Sequence, residues 1–173
     1  MIYVEDPVAL ITLDVQNPKI SEISLVPKRV HFKCKRCASL CCNLGGPAIT
    51  QKDVELIKST NFYVSDFFEP LKRNQGYSSI VVGQLKNKRD GSCIFFKSNA
   101  TQNCHSCCIY PIRPALCKLY PFTFERHASK KIVLKIIPCC LGLNSSEGEL
   151  ITKNFISNHV LEPLFEAMTL FKK

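Results

Sequence analysis

His31-Phe-Lys-Cys34-Lys-Arg-Cys37-Ala-Ser-Leu-Cys41-Cys42 opens the chain's cysteine pattern. Four of the chain's eleven cysteines fall inside it. Cys34 and Cys37 make a C-x2-C step, which in a tight turn aims two thiols at one metal; zinc and iron–sulfur sites both use it. Cys41 and Cys42 form a vicinal pair. Neighbouring side chains diverge by about 100° on a helix and point to opposite faces on a strand. Such a pair rarely serves one tetrahedral ion; it suits two sites, or different corners of a larger cluster.

Working outward, a second cysteine region runs Cys104-His105-Ser-Cys107-Cys108-Ile109-Tyr110-Pro-Ile-Arg113-Pro114-Ala-Leu-Cys117-Lys-Leu-Tyr120-Pro121-Phe122. Cys93 precedes it and Cys139-Cys140-Leu-Gly142 follows. Pro114 suits the first turn of a helix and Pro121 its end, so Cys117 is expected on a short helix.

The chain has 173 residues, of which 46% are hydrophobic. That is one domain of ordinary size, 1–173, able to bury a core without relying on metal alone. No basic-then-apolar leader opens it and no apolar run is long enough for a bilayer, so the cytoplasm is expected and no membrane. Reducing conditions there leave thiols available to metal. The competing disulfide scaffold is disfavoured by the odd count, the missing leader and the clustered spacing.

The net charge of +9 raises nucleic acid as a partner. Eight thiolates would lower that figure by eight and two centres of charge +2 would raise it by four, leaving +5. Lys33, Lys35, Arg36, Arg113 and Lys118 stand beside cysteines, where they can neutralise thiolates. No RNA-binding signature or helix-turn-helix is evident, so nucleic acid is disfavoured.

Residues 1–30 read as short or edge strands punctuated by Pro7, Pro18 and Pro27. Thr50 with Asp53 predicts a capped helix over about 51–60. A second helix is expected from Ser65 or Asp66 toward Arg73. Tyr77–Leu85 and Cys93–Phe96 read as a hairpin closed by Asp90-Gly91. Phe122–Glu125 should pair with Lys131–Ile137. A C-terminal helix is expected over about 149–171, broken near Pro163. The expectation is α+β: short antiparallel strands and short helices around a cysteine metal cluster, with a C-terminal helix.

This order of parts resembles the YkgJ-type cysteine-cluster family, a zinc- or iron-chelating domain marked by a CxxCxxCC motif. Phe32, Cys34, Cys37, Cys41 and Cys42 follow its opening pattern, with three residues rather than two before the vicinal pair. Cys93-Ile94-Phe95-Phe96 follows its next part. Cys107, Ile109, Tyr110, Arg113, Pro114, Cys117, Pro121 and Phe122 match its second block, and Cys140 and Gly142 its final C-x-G. The resemblance implies eight ligands: Cys34, Cys37, Cys41, Cys42, Cys93, Cys107, Cys117 and Cys140. It leaves Cys104, Cys108 and Cys139 outside. It implies metal ions as ligands, as an iron–sulfur cluster of the 4Fe-4S type or zinc, without fixing a reaction. Some longer relatives are labelled flagellin lysine N-methylases and involve an iron–sulfur cluster and S-adenosylmethionine. An iron–sulfur-dependent protein-modifying enzyme is therefore one alternative. A zinc-stabilised interaction module for an acidic protein partner is another.

Spacing alone also allows a ribbon in which Cys34-x2-Cys37 and Cys104-x2-Cys107 share one zinc. The eight-thiol set is preferred because the ribbon leaves five patterned cysteines unused. His31 and His105 flank cysteines and can ligate, but are read as bystanders. Tyr110 and Tyr120 are read as packing residues. No phosphate loop, dinucleotide fingerprint or methyl-donor motif is present.

Overall fold

The computed structural model describes residues 6–13, 20–71, 76–99, 104–127 and 130–172. In chain order the elements are β1 (Asp6–Leu13), β2 (Ile20–Leu25), β3 (His31–Phe32), β4 (Ala48–Thr50), α1 (Gln51–Lys58), α2 (Val64–Phe67), β5 (Phe68–Glu69), β6 (Val81–Leu85), β7 (Phe96–Asn99) and β8 (Cys104–Cys107). There follow a 3-10 turn at Tyr110–Ile112, α3 (Ala115–Leu119), β9 (Phe122–His127), β10 (Lys131–Ile136), β11 (Glu149–Leu150), α4 (Lys153–Phe155), a π turn at Ile156–Val160 and α5 (Leu161–Thr169). Short antiparallel strands and short helices make the fold α+β, as the sequence predicts. The chain divides into two compact units, Met1–Lys35 with Leu119–Leu164, and Arg36–Lys118 with Phe165–Lys173.

The first unit is built on an antiparallel sheet of order β2-β1-β10-β9. β10 alternates strictly, burying Ile132, Leu134 and Ile136 while Lys131 stays exposed. That period of two is what a sheet with one packed face requires. On β1 the adjacent Val8 and Ala9 are both buried. The register shift between Pro7 and Ala9 explains it, because a bulge re-aims one side chain inward. Phe32 meets Phe122 edge-on at 5.6 Å and Phe155 at 6.3 Å. Each such pair contributes about 0.5–1.5 kcal/mol beyond its burial.

In the second unit, α1 begins as its sequence signals. The Asp53 N–H donates to Thr50 Oγ1, and the Thr50 N–H donates to Asp53 Oδ2 at 2.8 Å. The helix buries Val54 and Ile57. It lies beside a three-stranded sheet of order β4-β6-β5 and a β7-β8 hairpin. Ile49, Ile57, Phe67, Leu85 and Phe95 form the core, joined by Cys42 and Cys93. Gly46 is obligatory: a Cβ there would stand 1.9 Å from the Leu85 carbonyl oxygen.

Several expectations are corrected. β1 is not an edge strand; it pairs with β2 on one side and β10 on the other. Among the described residues the helix expected toward Arg73 is Val64–Phe67, because Phe68 and Glu69 pair with β6, and Arg73 itself lies outside them. Pro70 then disfavours a helical Glu69. The strand expected at Tyr77–Leu85 is Val81–Leu85. The predicted hairpin across Asp90-Gly91 reduces to one bridge, Asn87 with Cys93. The true hairpin is β7-β8, with Phe96 opposite Cys107. His127 belongs to β9 rather than to the following turn. Of the loop predicted over Ser98–Asn103, Ser98 and Asn99 belong to β7, and 100–103 lie outside the described residues.

The C-terminal helix is interrupted as expected near Pro163, and the form is a π turn. Proline lacks an N–H and crowds the carbonyl four residues back, here His159. A π turn at Ile156–Val160 is one of the established ways a helix absorbs such a defect.

Candidate metal centre

The second unit gathers five of the eight predicted ligands: Cys41, Cys42, Cys93, Cys107 and Cys117. Local backbone explains how. From Ala38 to Gly45 the chain makes successive helical turns: Cys42 N–H donates to the Ala38 carbonyl at 3.3 Å and Leu44 N–H to that of Leu40 at 3.1 Å. Arg36 and Ala38 on either side of Cys37 have φ of +54° and +49°. A non-glycine residue in that region costs about 1–2 kcal/mol, so surrounding contacts hold the knuckle in place.

The other thiols arrive on separate elements. Cys93 N–H donates to the Cys42 carbonyl at 2.8 Å, and Phe96 N–H returns to the Cys93 carbonyl at 2.9 Å. Cys107 closes β8 opposite Phe96, and Cys108 N–H donates to the Phe95 carbonyl at 3.0 Å. Cys117 rides on α3, bracketed by Pro114 and Pro121 as the sequence predicts.

The five thiols lie near enough to shift one another's protonation. Cys42 donates its S–H toward Cys107 and Cys41, which together with burial pushes its own thiol up. That bond lowers Cys107 to about 6, against burial, with help from the Ile109 N–H and the Arg113 charge. The same donor lowers Cys41 to about 7, again against burial, with help from the Cys42 N–H and Arg113. A thiol has a single proton to give, so Cys41 and Cys107 compete for Cys42. Burial pushes Cys93 and Cys117 the other way, and their neighbouring thiols add to the rise.

Arg113 is the cation that acts on Cys41, Cys107 and Cys117. Its Nε donates to the Tyr110 carbonyl at 3.0 Å and its Nη1 to the Cys117 carbonyl at 3.4 Å. Its guanidinium lies 3.8 Å from the Tyr110 ring centroid, and that of Arg36 lies 4.9 Å away. Tyr110 therefore packs as expected, with a guanidinium for a neighbour rather than an apolar wall. The Cys42 and Ile109 N–H donors had no signal in the sequence, because every residue but proline carries one.

Cys37 is half-buried in the same unit. Cys34 and Cys140 belong to the first unit. There the Lys33 N–H donates to the Gly142 carbonyl at 3.0 Å and the Asn144 N–H to that of His31 at 2.7 Å. This pairing lays the Cys34 segment along the turn that carries Cys139 and Cys140. A Cβ on Gly142 would stand 2.4 Å from the Lys33 carbonyl oxygen, which is why the C-x-G step carries glycine. Among the described residues ten cysteine side chains bear thiols, and no disulfide is present.

The donor chemistry fits a thiophilic metal: sulfur donors, with Cys41 and Cys107 lowered toward neutral pH and an arginine to offset charge. Among the described residues no group of three or more His, Cys, Asp or Glu side chains is arranged to hold a metal ion directly. Among them, too, no helix is long and apolar enough to cross a membrane.

The family model described as "CxxCxxCC: Putative zinc- or iron-chelating domain" matches residues 33–152. The chain is also similar to an uncharacterized protein of Methanocaldococcus jannaschii, 28% identical over 144 residues, covering 82% of this chain and 73% of that one. No solved structure matches.

Proposed function

We propose a function from the premise that the chain belongs to the CxxCxxCC family of zinc- or iron-chelating domains. Its cysteines chelate metal, and the form of that metal is an iron–sulfur cluster of the 4Fe-4S type. The observation that supports this is the position of Cys42, whose thiol serves both its neighbour Cys41 and the distant Cys107. A single tetrahedral ion takes four donors. This unit gathers five thiols, with a vicinal pair turned into the same group. That suits the corners of a polynuclear centre better than one zinc.

Four of Cys41, Cys42, Cys93, Cys107 and Cys117 would supply its ligands, one to each iron, and the fifth thiol with Cys34, Cys37 and Cys140 are further metal ligands. Such a cluster supplies one-electron transfer when bound, with a potential set by charge and hydrogen bonds at its sulfurs. Arg113 provides charge, the Ile109 and Cys42 N–H groups provide bonds, and the apolar residues around Cys93 and Cys117 limit water. Residues 1–173 act as one metal-binding domain, since the family match runs through residues of both units. Cytoplasmic residence follows from thiols that must stay reduced.

Anaerobic purification followed by iron, sulfide and zinc analysis tests the reading. Brown protein with iron and acid-labile sulfide in equal amounts is expected. Colourless protein with stoichiometric zinc would overturn it.

A further inference from the structure

His105 is a half-buried metal-ligating side chain that the thiol network leaves out. Its Nδ1 is shielded from water and has no hydrogen-bond partner among the described residues. A buried polar atom left in that condition costs about 1–3 kcal/mol. Native structures seldom retain one without a use.

Its position indicates the use. Side chains two apart on a strand share a face. His105 and Cys107 are two apart on β8. Phe96 stands opposite Cys107 in the β7-β8 register. The His105 ring stacks on that same Phe96, centroid to centroid 5.4 Å at 38°. The imidazole is thus held by packing on the face of the hairpin that delivers Cys107 to the thiol group. Its Nδ1 is shielded from water, and the Phe96 ring lies against the imidazole.

We propose that His105 is a nitrogen ligand of the metal centre, binding through Nδ1 as a neutral imidazole beside the Cys107 thiolate. The inference rests on the metal-binding reading and deepens it. Imidazole joins thiolates at zinc and replaces them on iron in some clusters, so the assignment holds for either metal. Nδ1 carries the lone pair and Nε2 the proton. The bond removes the orphaned acceptor, and it relieves the charge that a further thiolate would add to a group already holding Cys41 and Cys107.

X-ray absorption at the edge of whichever metal the anaerobically purified protein contains is the test. A nitrogen scatterer beside sulfur is expected, lost in His105→Ala and kept in His31→Ala. Competition with a chelator should show His105→Ala binding metal about 10-fold or more weakly, at least the loss seen for an outer-shell partner. Should the variant misfold, the native protein grown on isotope-labelled histidine answers instead, through nitrogen coupling at the paramagnetic iron or at substituted cadmium. An all-sulfur shell, or a nitrogen signal unchanged in His105→Ala, overturns the proposal while leaving thiol chelation intact. Protein that takes up no metal overturns both.

Discussion

The backbone N–H of Cys93 donates to the carbonyl of Cys42 at 2.8 Å. This one bond ties a turn in the middle of the chain to the vicinal pair near its start, and places two thiols of different blocks in one buried group. The contact is between main chains, so neither thiol is consumed by it. Metal binding can therefore rely on a scaffold that the fold supplies by other means.

The thiols should differ sharply in reactivity in metal-free protein. Cys107 and Cys41 are lowered to about 6 and about 7 from the ordinary thiol value, while Cys93 and Cys117 are raised. At pH 7 a limiting pulse of iodoacetamide should label Cys107 and Cys41 first, since the thiolate is the nucleophile. Because the shift is downward, their labelling persists at neutral pH. It is lost for Cys107 as pH falls through about 6, and for Cys41 already as it falls through about 7. Mass spectrometry of the labelled sites checks this. Faster labelling of Cys117 would contradict it.

Arg113 acts through shape as well as charge. Arg113→Lys keeps a cation but loses the fork that reaches the Tyr110 and Cys117 carbonyls and the stack on Tyr110. Such replacements are not conservative. Both Arg113→Lys and Arg113→Met should lose roughly 1–2 kcal/mol in urea unfolding, as expected for one or two hydrogen bonds to a charged group. Only Arg113→Met should also slow Cys107 labelling at pH 7, because it alone removes the positive charge. Equal labelling in the two variants would refute the electrostatic part.

Gly142→Ala tests the close approach in the first unit. The added Cβ would meet the Lys33 carbonyl oxygen at 2.4 Å, and backbone cannot step aside as a flexible side chain can. Overpacking of this kind costs about 1–3 kcal/mol. For a chain of this length Tm should fall by roughly 3–10 °C. A midpoint equal to that of the native chain would show that the Lys33 segment moves freely.

Local signals were the legible ones. Thr50 and Asp53 announced the start of α1, and Pro114 and Pro121 the limits of α3. The expected pairing of Phe122–Glu125 with Lys131–Ile137 is found as β9 with β10. Each operates within a few residues, where chain chemistry is decisive. Long-range pairing was not legible. Asp90-Gly91 looked like a hairpin turn, yet the Cys93 N–H is taken by Cys42, and Phe96 pairs instead with Cys107. β1 sits inside its sheet only because β10, more than a hundred residues later, pairs with it. The division into units cuts between Lys35 and Arg36, inside the C-x2-C step, where composition does not change. The eight cysteines were legible as types. That Cys41, Cys42, Cys93, Cys107 and Cys117 form one group required coordinates, and so did the orphaned nitrogen of His105.

The vicinal pair supplies the sharpest discrimination between a cluster and a single ion. If Cys41 and Cys42 serve different corners of one centre, each is needed. Cys41→Ala and Cys42→Ala should then each lower metal content, as should Cys117→Ser from the far element. Cys108→Ser should not, because Cys108 contributes its backbone N–H to Phe95 and a half-buried side chain to the core edge. Cys42→Ala has a second consequence in metal-free protein. Without its S–H, Cys107 loses the largest influence holding its pKa down, and its labelling at pH 7 should slow. Metal content per folded chain, with folding checked by circular dichroism, reads the first effect, and alkylation kinetics reads the second. Full metal content in Cys42→Ala together with slowed labelling would mean that Cys42 is only a hydrogen-bond donor to ligands, and that the centre is a smaller one built on Cys41 and Cys107.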